Sequence, residues 1–514
     1  MKSRASLSIG NAPAAKGFFP LCLIGAVRLG YAWIVLIETN QDVSVSLRQR
    51  VGRFAQEMTK AQMVRTRWGG IADGAQKPSG FFRVAERGGI FWLVDPDGGQ
   101  FLSKGINTVR FDQDKIQNSG RIPYAENCAR KYGSEDAWRR AAAARIVAWG
   151  FNTLGSWSDE AVAKAAPVLL ALTPNLDLGM SFAWQTNDTS KDKLRQDFPD
   201  VFDPDFERHV CKRAAAMCAP RRNDANIIGW FVDNELRWGP DWRGEDELLT
   251  LFLSLTPGTP GRNGALAFLR ARYGDFAKFD AAWHSAAGDW QSLAALTHVE
   301  PPYRRKPSYA RNDRDEQRAN RESPGHALYA ADCDAFADEI AERYFSLTTA
   351  SIKAADPNHL VLGARFAYPP RHGIVEACGR RADVLSFNCY GDDPEKNIDT
   401  YAVVGKPCLI GEFSFRAMDS GLPNTNGAGP VVTTQDVRAA AFRRYVTSAL
   451  RKPSVVGYHW FEHADQPVEG RFDGENSNFG TVTIRDEVYE LLTNAMTSMN
   501  AEAEQVHTAV TVTA

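Results

Sequence analysis

Between residues 101 and 499 the chain alternates short apolar runs with longer amphipathic stretches, and it does so eight times. The runs are FLSKGIN (101–107), FNTLGSW (151–157), VLLALTPNL (168–176), IIGWFVDNE (227–235), LVLGARF (360–366), VLSFNCY (384–390), PCLIGEF (407–413) and VVGYHWF (455–461). Each has the length and apolar character of a strand buried on both faces. Helical sequence follows over about 135–149, 158–166, 204–218, 372–380, 394–403, 435–451 and 486–499. Strands that alternate with helices predict parallel βαβ units. Eight of them, with no glycine-rich phosphate loop, predict an α/β fold of the (β/α)8 or TIM-barrel type.

The rest of the chain is organised around that core. A long, mostly helical insertion is expected after the fourth strand, over roughly 240–355. Its polar segment YRRKPSYARNDRDEQRANRESPG reads as a solvated loop or helix face. The stretch FFRVAERGGIFWLVDPDGGQFLSKGIN (81–107) enters the first strand through a hairpin whose turn, DPDGG, carries Asp-Pro and Asp-Gly signals. We therefore divide the chain into an N-terminal extension, 1–77, and a barrel domain, 78–505. The apolar run GFFPLCLIGAVRLGYAWIVLI (17–37) contains Arg28 and Pro20, which disfavour a membrane span. It reads as a degenerate export signal, a strand-rich appendage or an upstream extension, so cytoplasmic and exported locations both fit.

Charge narrows the partners. The 60 Lys and Arg against 62 Asp and Glu give a net charge of −2, without the basic surplus of a nucleic-acid binder. The eight cysteines form no CxxC pair and read as small buried hydrophobes. A metal-dependent hydrolase has one foothold, His459, Glu462, His463 and Asp465. These straddle a strand end and its loop, where a four-residue spacing does not converge side chains. No metal site is expected from them.

Catalytic groups of such barrels lie at the C-terminal ends of the strands. Polar and aromatic residues collect there: Asn107, Trp157, Asn175, Asp233, Asn234, Glu235, Arg365, Asn388, Tyr390, Glu412, His459 and Trp460. Glu235 closes the fourth strand and Glu412 the seventh, which face each other across the mouth of a closed barrel. Singly, a Glu at a strand end is as well explained by a salt bridge. A facing pair is what glycosidic cleavage needs, one protonated to donate to the leaving oxygen and one to attack or stabilise an oxocarbenium-like centre. A glycan-binding barrel without activity would keep the aromatics and lose at least one Glu.

The stretches 81–107, DPNHLVLGARF (356–366), KPCLIGEFSFRAMDSG (406–421) and VVGYHWFEHADQPVEGRFDGENSNFG (455–480) resemble the family-50 glycoside hydrolases, the β-agarases of clan A. FLRARYGDFAKFDAAWH (268–284) resembles a helical insertion of that family and of related β-galactosidases. The resemblance spans roughly 78–500 and implies a retaining, cofactor-free hydrolase of β-galactosidic linkages acting on an oligo- or polysaccharide. Glu235 would be the acid/base, Glu412 the nucleophile, and Asn234 the partner of the sugar 2-hydroxyl. The chain departs from the family pattern at Ser414 and Arg416, where His and Gly are usual. It also reads HWFEH for HWFQY and ENSNFG for ENYNIG. These changes open the alternative of a β-galactosidase or another β-glycan hydrolase on the same barrel.

Further substrate-binding candidates follow by position. Asn107 and Asn388 end strands one and six. Tyr390 either donates to Glu412 or is a rim tyrosine, and Arg365 either holds Glu412 as an anion or bridges elsewhere. Trp460 would floor the sugar or lie in the core. Trp157 and Trp184 would stack on sugars or pack. Glu462, Asp465, Glu475 and Asn476, in the loop after the eighth strand, would bond hydroxyls.

Overall fold

The computed structural model describes residues 24–29, 32–37, 64–185, 198–307, 310 and 313–510. The chain divides into two compact units, 1–64 and 65–514. In the first, β1 (Ile24–Leu29) and β2 (Ala32–Ile37) form an antiparallel hairpin registered from Ile24 opposite Ile37 to Leu29 opposite Ala32. The N-terminal apolar run is thus extended chain where it is described. Among the described residues, no helix is long and apolar enough to cross a membrane.

The second unit opens with an antiparallel meander, β3 (Arg83–Arg87), β4 (Ile90–Val94) and β5 (Gln100–Phe101). A parallel series follows: β6 (Ser103–Ile106), β7 (Thr153–Leu154), β8 (Ala171–Leu172), β9 (Gly229–Trp230), β10 (Leu360–Val361), β11 (Leu385–Asn388) and β12 (Cys408–Phe413). After the short pair β13 (Arg416–Ala417) and β14 (Val431–Val432), β15 (Val455–Trp460) completes it. Each of the eight apolar runs contains one of these strands. Six form a parallel sheet in the order β11-β12-β15-β6-β7-β8, and β9 and β10 form a separate parallel pair. Single parallel bridges join the pair to its neighbours on both sides: Leu172 to Ile227 and Asn175 to Phe231 toward β8, Phe366 to Phe387 toward β11.

Helices begin where capping chemistry permits. Ser134 accepts from the Ala137 amide to start Glu135–Ala148, which carries Glu135 and Asp136 in its first turn. Asp203 accepts from the Asp205 amide to start Pro204–Cys218, with proline at the first position. The insertion holds Leu248–Leu253, Pro260–Tyr273, Phe276–Trp283, Trp290–Ala295 and Asp313–Glu322 before the 32-residue helix Pro324–Ala355 returns to β10. The last helix, Glu490–Thr508, starts later and runs further than its sequence pattern suggests.

The core explains which end of the sheet is left for chemistry. Trp68, Phe82, Leu93 and Phe101 of the meander region share one buried cluster with Ala171, Ile228, Leu360, Val384, Leu409 and Val456. Those partners sit at or near the N-terminal ends of their strands, so the meander seals that end with aromatic and aliphatic side chains. The C-terminal ends carry the buried polar residues instead, among them Asn107, Arg365, Asn388 and Glu412.

Candidate active site

Four successive strand ends turn through the left-handed region at residues with a side chain: Trp157 (φ 60°), Asp177 (φ 48°), Glu235 (φ 53°) and Arg365 (φ 47°). Such a conformation costs of order 1–3 kcal/mol per residue and persists only where the surroundings impose it. Here it turns each side chain at the point where the strand gives way to its loop. The ladder is maintained up to that point, with the Glu235 amide bonded to the Arg365 carbonyl.

Arg365 is the hub. It is fully buried, donates through Nε to Asn234 Oδ1 at 2.8 Å, and donates through Nη2 to Glu412 Oε1. Its guanidinium carbon lies 5.0 Å from the Trp157 ring centre and 4.8 Å from that of Phe231. Tyr390 donates to the other oxygen of Glu412 at 2.5 Å. Glu412 is buried and receives a charged donor on one oxygen and a hydroxyl on the other. That environment suits an anion.

Glu235 lives differently. It is half-buried and accepts one hydrogen bond, from Asn388 Nδ2 to Oε1 at 2.8 Å. Burial and then the charge of Glu412 push its carboxyl up to about 7, against the smaller opposing effects of Asn388, Arg243 and Arg365. Two carboxyls in one site are thereby driven to different jobs. Asn388 Nδ2 also lies 3.2 Å from Asn234 Oδ1. Arginine only donates, so the oxygen of Asn234 must face Arg365, and its amide nitrogen is turned away from that pair. Gly411, just before Glu412, has no room for a side chain. A Cβ there would come within 2.9 Å of both Arg365 Nη1 and Asn388 Oδ1.

Trp157, half-exposed, faces Arg365. Glu475 reaches the same region. It is held by Gln466 at 2.9 Å and Arg471 at 2.7 Å, and it feels the charge of Glu412. These residues, with Asn234, Asn388 and Tyr390, gather around the two carboxylates.

Other candidates stand elsewhere. Trp460 is fully buried in the core, donates to the Phe479 carbonyl and packs between Phe413, Phe442 and Arg438. It is no sugar floor, because strand side chains alternate and His459, bonded to Ser103 at 2.8 Å, takes the opposite face. Phe461, the next residue, lies edge-on to Trp157 and Tyr390 at 6.4 Å each.

Asp465 spends both oxygens internally, on Asn478, the Gly480 amide and Tyr489. Glu462 is fully buried beside Gln466, with Arg471 at 3.9 Å. Burial and the neighbouring Asp114 hold its carboxyl well above the usual range. Both side chains are buried. Asn107 is buried and ties the Gly411 and Trp460 carbonyls, while Asn476 pins the turn at Thr425 and Asn426. Trp184 stands 57% exposed on the helix Leu178–Gln185, and no contact joins it to the carboxylates.

His459 and His463 are both pushed down to about 3, chiefly by burial, and are neutral. Among the described residues no group of three His, Cys, Asp or Glu side chains is arranged to hold a metal. The seven described cysteines are unpaired, and all but Cys211 are buried.

Sequence reading missed Arg243, whose Nη1 donates to the Glu235 carbonyl at 2.8 Å, and Asp177, half-buried beside Asn175. Both lie in loops, where no periodicity points inward. The departures noted at Arg416, Ser477 and Phe479 form a single contact: Arg416 donates to Ser477 Oγ at 3.2 Å and lies 5.8 Å from the Phe479 ring centre.

No family model matches the chain. It is 29% identical over 490 residues to β-agarase A of Vibrio sp. (strain JT0107), covering 82% of this chain and 46% of that protein. It is 27% identical over 533 residues to β-agarase B of the same strain, covering 90% and 52%. The chain thus spans about half the length of the curated relatives it matches. Among solved structures, an agarase, AgWH50C, superposes with a TM-score of 0.65 at 25% identity, covering 90% of this chain and 70% of that one. An exo-β-agarase gives 0.69 at 23%, covering 88% and 70%. BpGH50 gives 0.64 at 21%, covering 96% and 98%. In sequence the chain is similar to these two proteins named β-agarase, and in fold it is similar to these agarase and GH50 structures.

Proposed function

We propose that the protein is a retaining glycoside hydrolase that cleaves β-galactosidic linkages in an agar-type poly- or oligosaccharide. The observation that carries this reading is the unequal treatment of Glu235 and Glu412, linked through Arg365, Asn234 and Asn388. The relatives named β-agarase supply the substrate class. The eight parallel strands, bridged on both sides of the β9–β10 pair, support a (β/α)8 barrel as the scaffold, with residues 78–505 as the catalytic domain.

In the first step Glu235, protonated below about pH 7, gives its proton to the glycosidic oxygen as Glu412 attacks the anomeric carbon. Arg365 and Tyr390, each donating to one of its oxygens, keep Glu412 aimed until it attacks. Asn234, oxygen pinned, presents its amide N–H to the sugar 2-hydroxyl. Once Glu412 is esterified its negative charge is gone, and with it one cause of the raised Glu235 carboxyl. Glu235 then becomes a better-ionised base, as activation of water in the second step requires. Trp157 and Phe461 offer aromatic surface to the sugar ring, and Glu475 a hydroxyl partner.

The test is product analysis on agarose, neoagaro-oligosaccharides and an aryl β-galactoside, with Glu412→Gln as control. Neoagarobiose released first as the β-anomer, and absent with Glu412→Gln, supports the full reading. Turnover of the aryl galactoside alone keeps the mechanism and moves the substrate to another β-galactoside. First product as the α-anomer would overturn retention.

A further inference from the structure

Beside Glu235 stands an aromatic surface that the two-carboxylate mechanism does not use. The tight turn after β9, closed by paired bonds between Asp241 and Gly244, projects Trp242 into solvent at 54% exposure. Tyr368, in the loop after β10 and 38% exposed, meets it edge-on at 5.5 Å between ring centres. Arg243 lies 4.4 Å from the Trp242 ring centre and is fixed on its other side. It donates to both oxygens of Asp241 and, at 2.8 Å, to the main-chain carbonyl of Glu235. Tyr368 also lines a groove with Leu236, Trp238, Pro240, Asp241 and Pro370.

A large exposed indole costs free energy in water unless something covers it. This one is pre-oriented by a cation–π contact and a short turn, so little ordering entropy remains to be lost on binding. Galactose offers a matching face, the patch of C–H bonds at C3, C4 and C5. The platform is tied through Arg243 to the main chain of Glu235, the proposed proton donor, and the sugars on the proton donor's side of the cleaved bond are the departing ones. We infer that Trp242 and Tyr368 form a stacking subsite for a galactose-type sugar on the leaving-group side of the cleaved bond. This rests on the glycoside hydrolase reading above.

The experiment compares wild type, Trp242→Ala, Trp242→Phe and Tyr368→Ala on neoagaro-oligosaccharides of increasing length. A Glu412→Gln background is used to measure binding by calorimetry. Both aromatics are partly exposed, so the variants are expected to fold. The expected result is a loss of about tenfold in kcat/KM and in affinity for Trp242→Ala. That loss should grow with the sugars beyond the cleaved bond and be largely restored by Trp242→Phe. Equal activity of wild type and Trp242→Ala at every length overturns the subsite and leaves the hydrolase reading standing. If no protein cleaves or binds any of these sugars, the hydrolase reading falls and the subsite with it.

Discussion

Replacing Asn388 with leucine, a side chain of similar size, tests how the site divides its two carboxyls. Asn388 Nδ2 is the one hydrogen-bond donor found on the Glu235 carboxyl among the described residues, at 2.8 Å. It favours the ionised form, opposing burial and the charge of Glu412. A hydrogen bond to a charged group contributes about 1.5–3 kcal/mol. At 1.36 kcal/mol per pH unit, its loss raises the Glu235 carboxyl by about 1–2 units above its starting value. The general acid then stays protonated to higher pH, so the alkaline limb of kcat/KM, near pH 7 in the wild type, moves up by the same amount. The assay is kcat/KM against pH on whichever galactoside the wild type cleaves. Arg365 still anchors Asn234, so the plateau falls but does not vanish. An alkaline limb that stays in place, or moves down, refutes the assignment of Glu235 as proton donor and the electrostatic argument behind it.

Tyr390→Phe removes one of two donors to Glu412 and is expected to lower kcat by roughly 10- to 150-fold with little change in stability, measured by steady-state kinetics beside thermal melting. Gly411→Ala forces a methyl against Arg365 and Asn388. A destabilisation of about 1–3 kcal/mol should appear in urea unfolding, with loss of activity beyond the unfolded fraction. Asp486 is buried and meets Arg145, Lys131, Tyr132 and Tyr124, which hold its carboxyl far below the ordinary range despite burial. The folded state therefore binds fewer protons there than the unfolded one, so this contribution is present above about pH 4 and is lost as pH falls below it. Asp486→Asn should cost ~3 kcal/mol at neutral pH, and that cost should be about 1 kcal/mol smaller at pH 3 in urea titrations. Ser477→Tyr places a ring on the Arg416 guanidinium and should impair activity more than the pair Arg416→Gly with Ser477→Tyr, because the two positions touch.

The scaffold was legible because its signal is periodic. Eight apolar runs of strand length stand out of a 514-residue chain, and each contains a strand. The runs overstate the ladders: 168–176 forms only Ala171–Leu172, because Pro174 and the turn at Asp177 end the extended stretch. Second helices within one strand-to-strand connection, such as Pro123–Tyr132 and Leu178–Gln185, had no place in the periodic scheme and were missed. In the site, residues at strand ends were found by position alone. Trp460 and Phe461 show the limit, since a one-residue step decides which face a strand side chain takes. Loop residues such as Arg243 were invisible, because turns bring them to Glu235 from outside any repeating pattern.

The pairing of β6 with β15 has a consequence for how the chain comes to be folded. Residues 103–106 find their partner strand at 457–460, some 350 positions later. The same seam is sewn by Lys104 to Glu504 and by His507 to the Phe91 carbonyl. During synthesis the early strand must wait with one edge open until residues 457–460 have left the ribosome. Contacts of such separation are slow to form, and exposed edges invite association in the interval. Shortening the chain by its last helix would therefore do more than remove a surface element: it would take away the Lys104–Glu504 and His507–Phe91 clasps that back this late-formed seam.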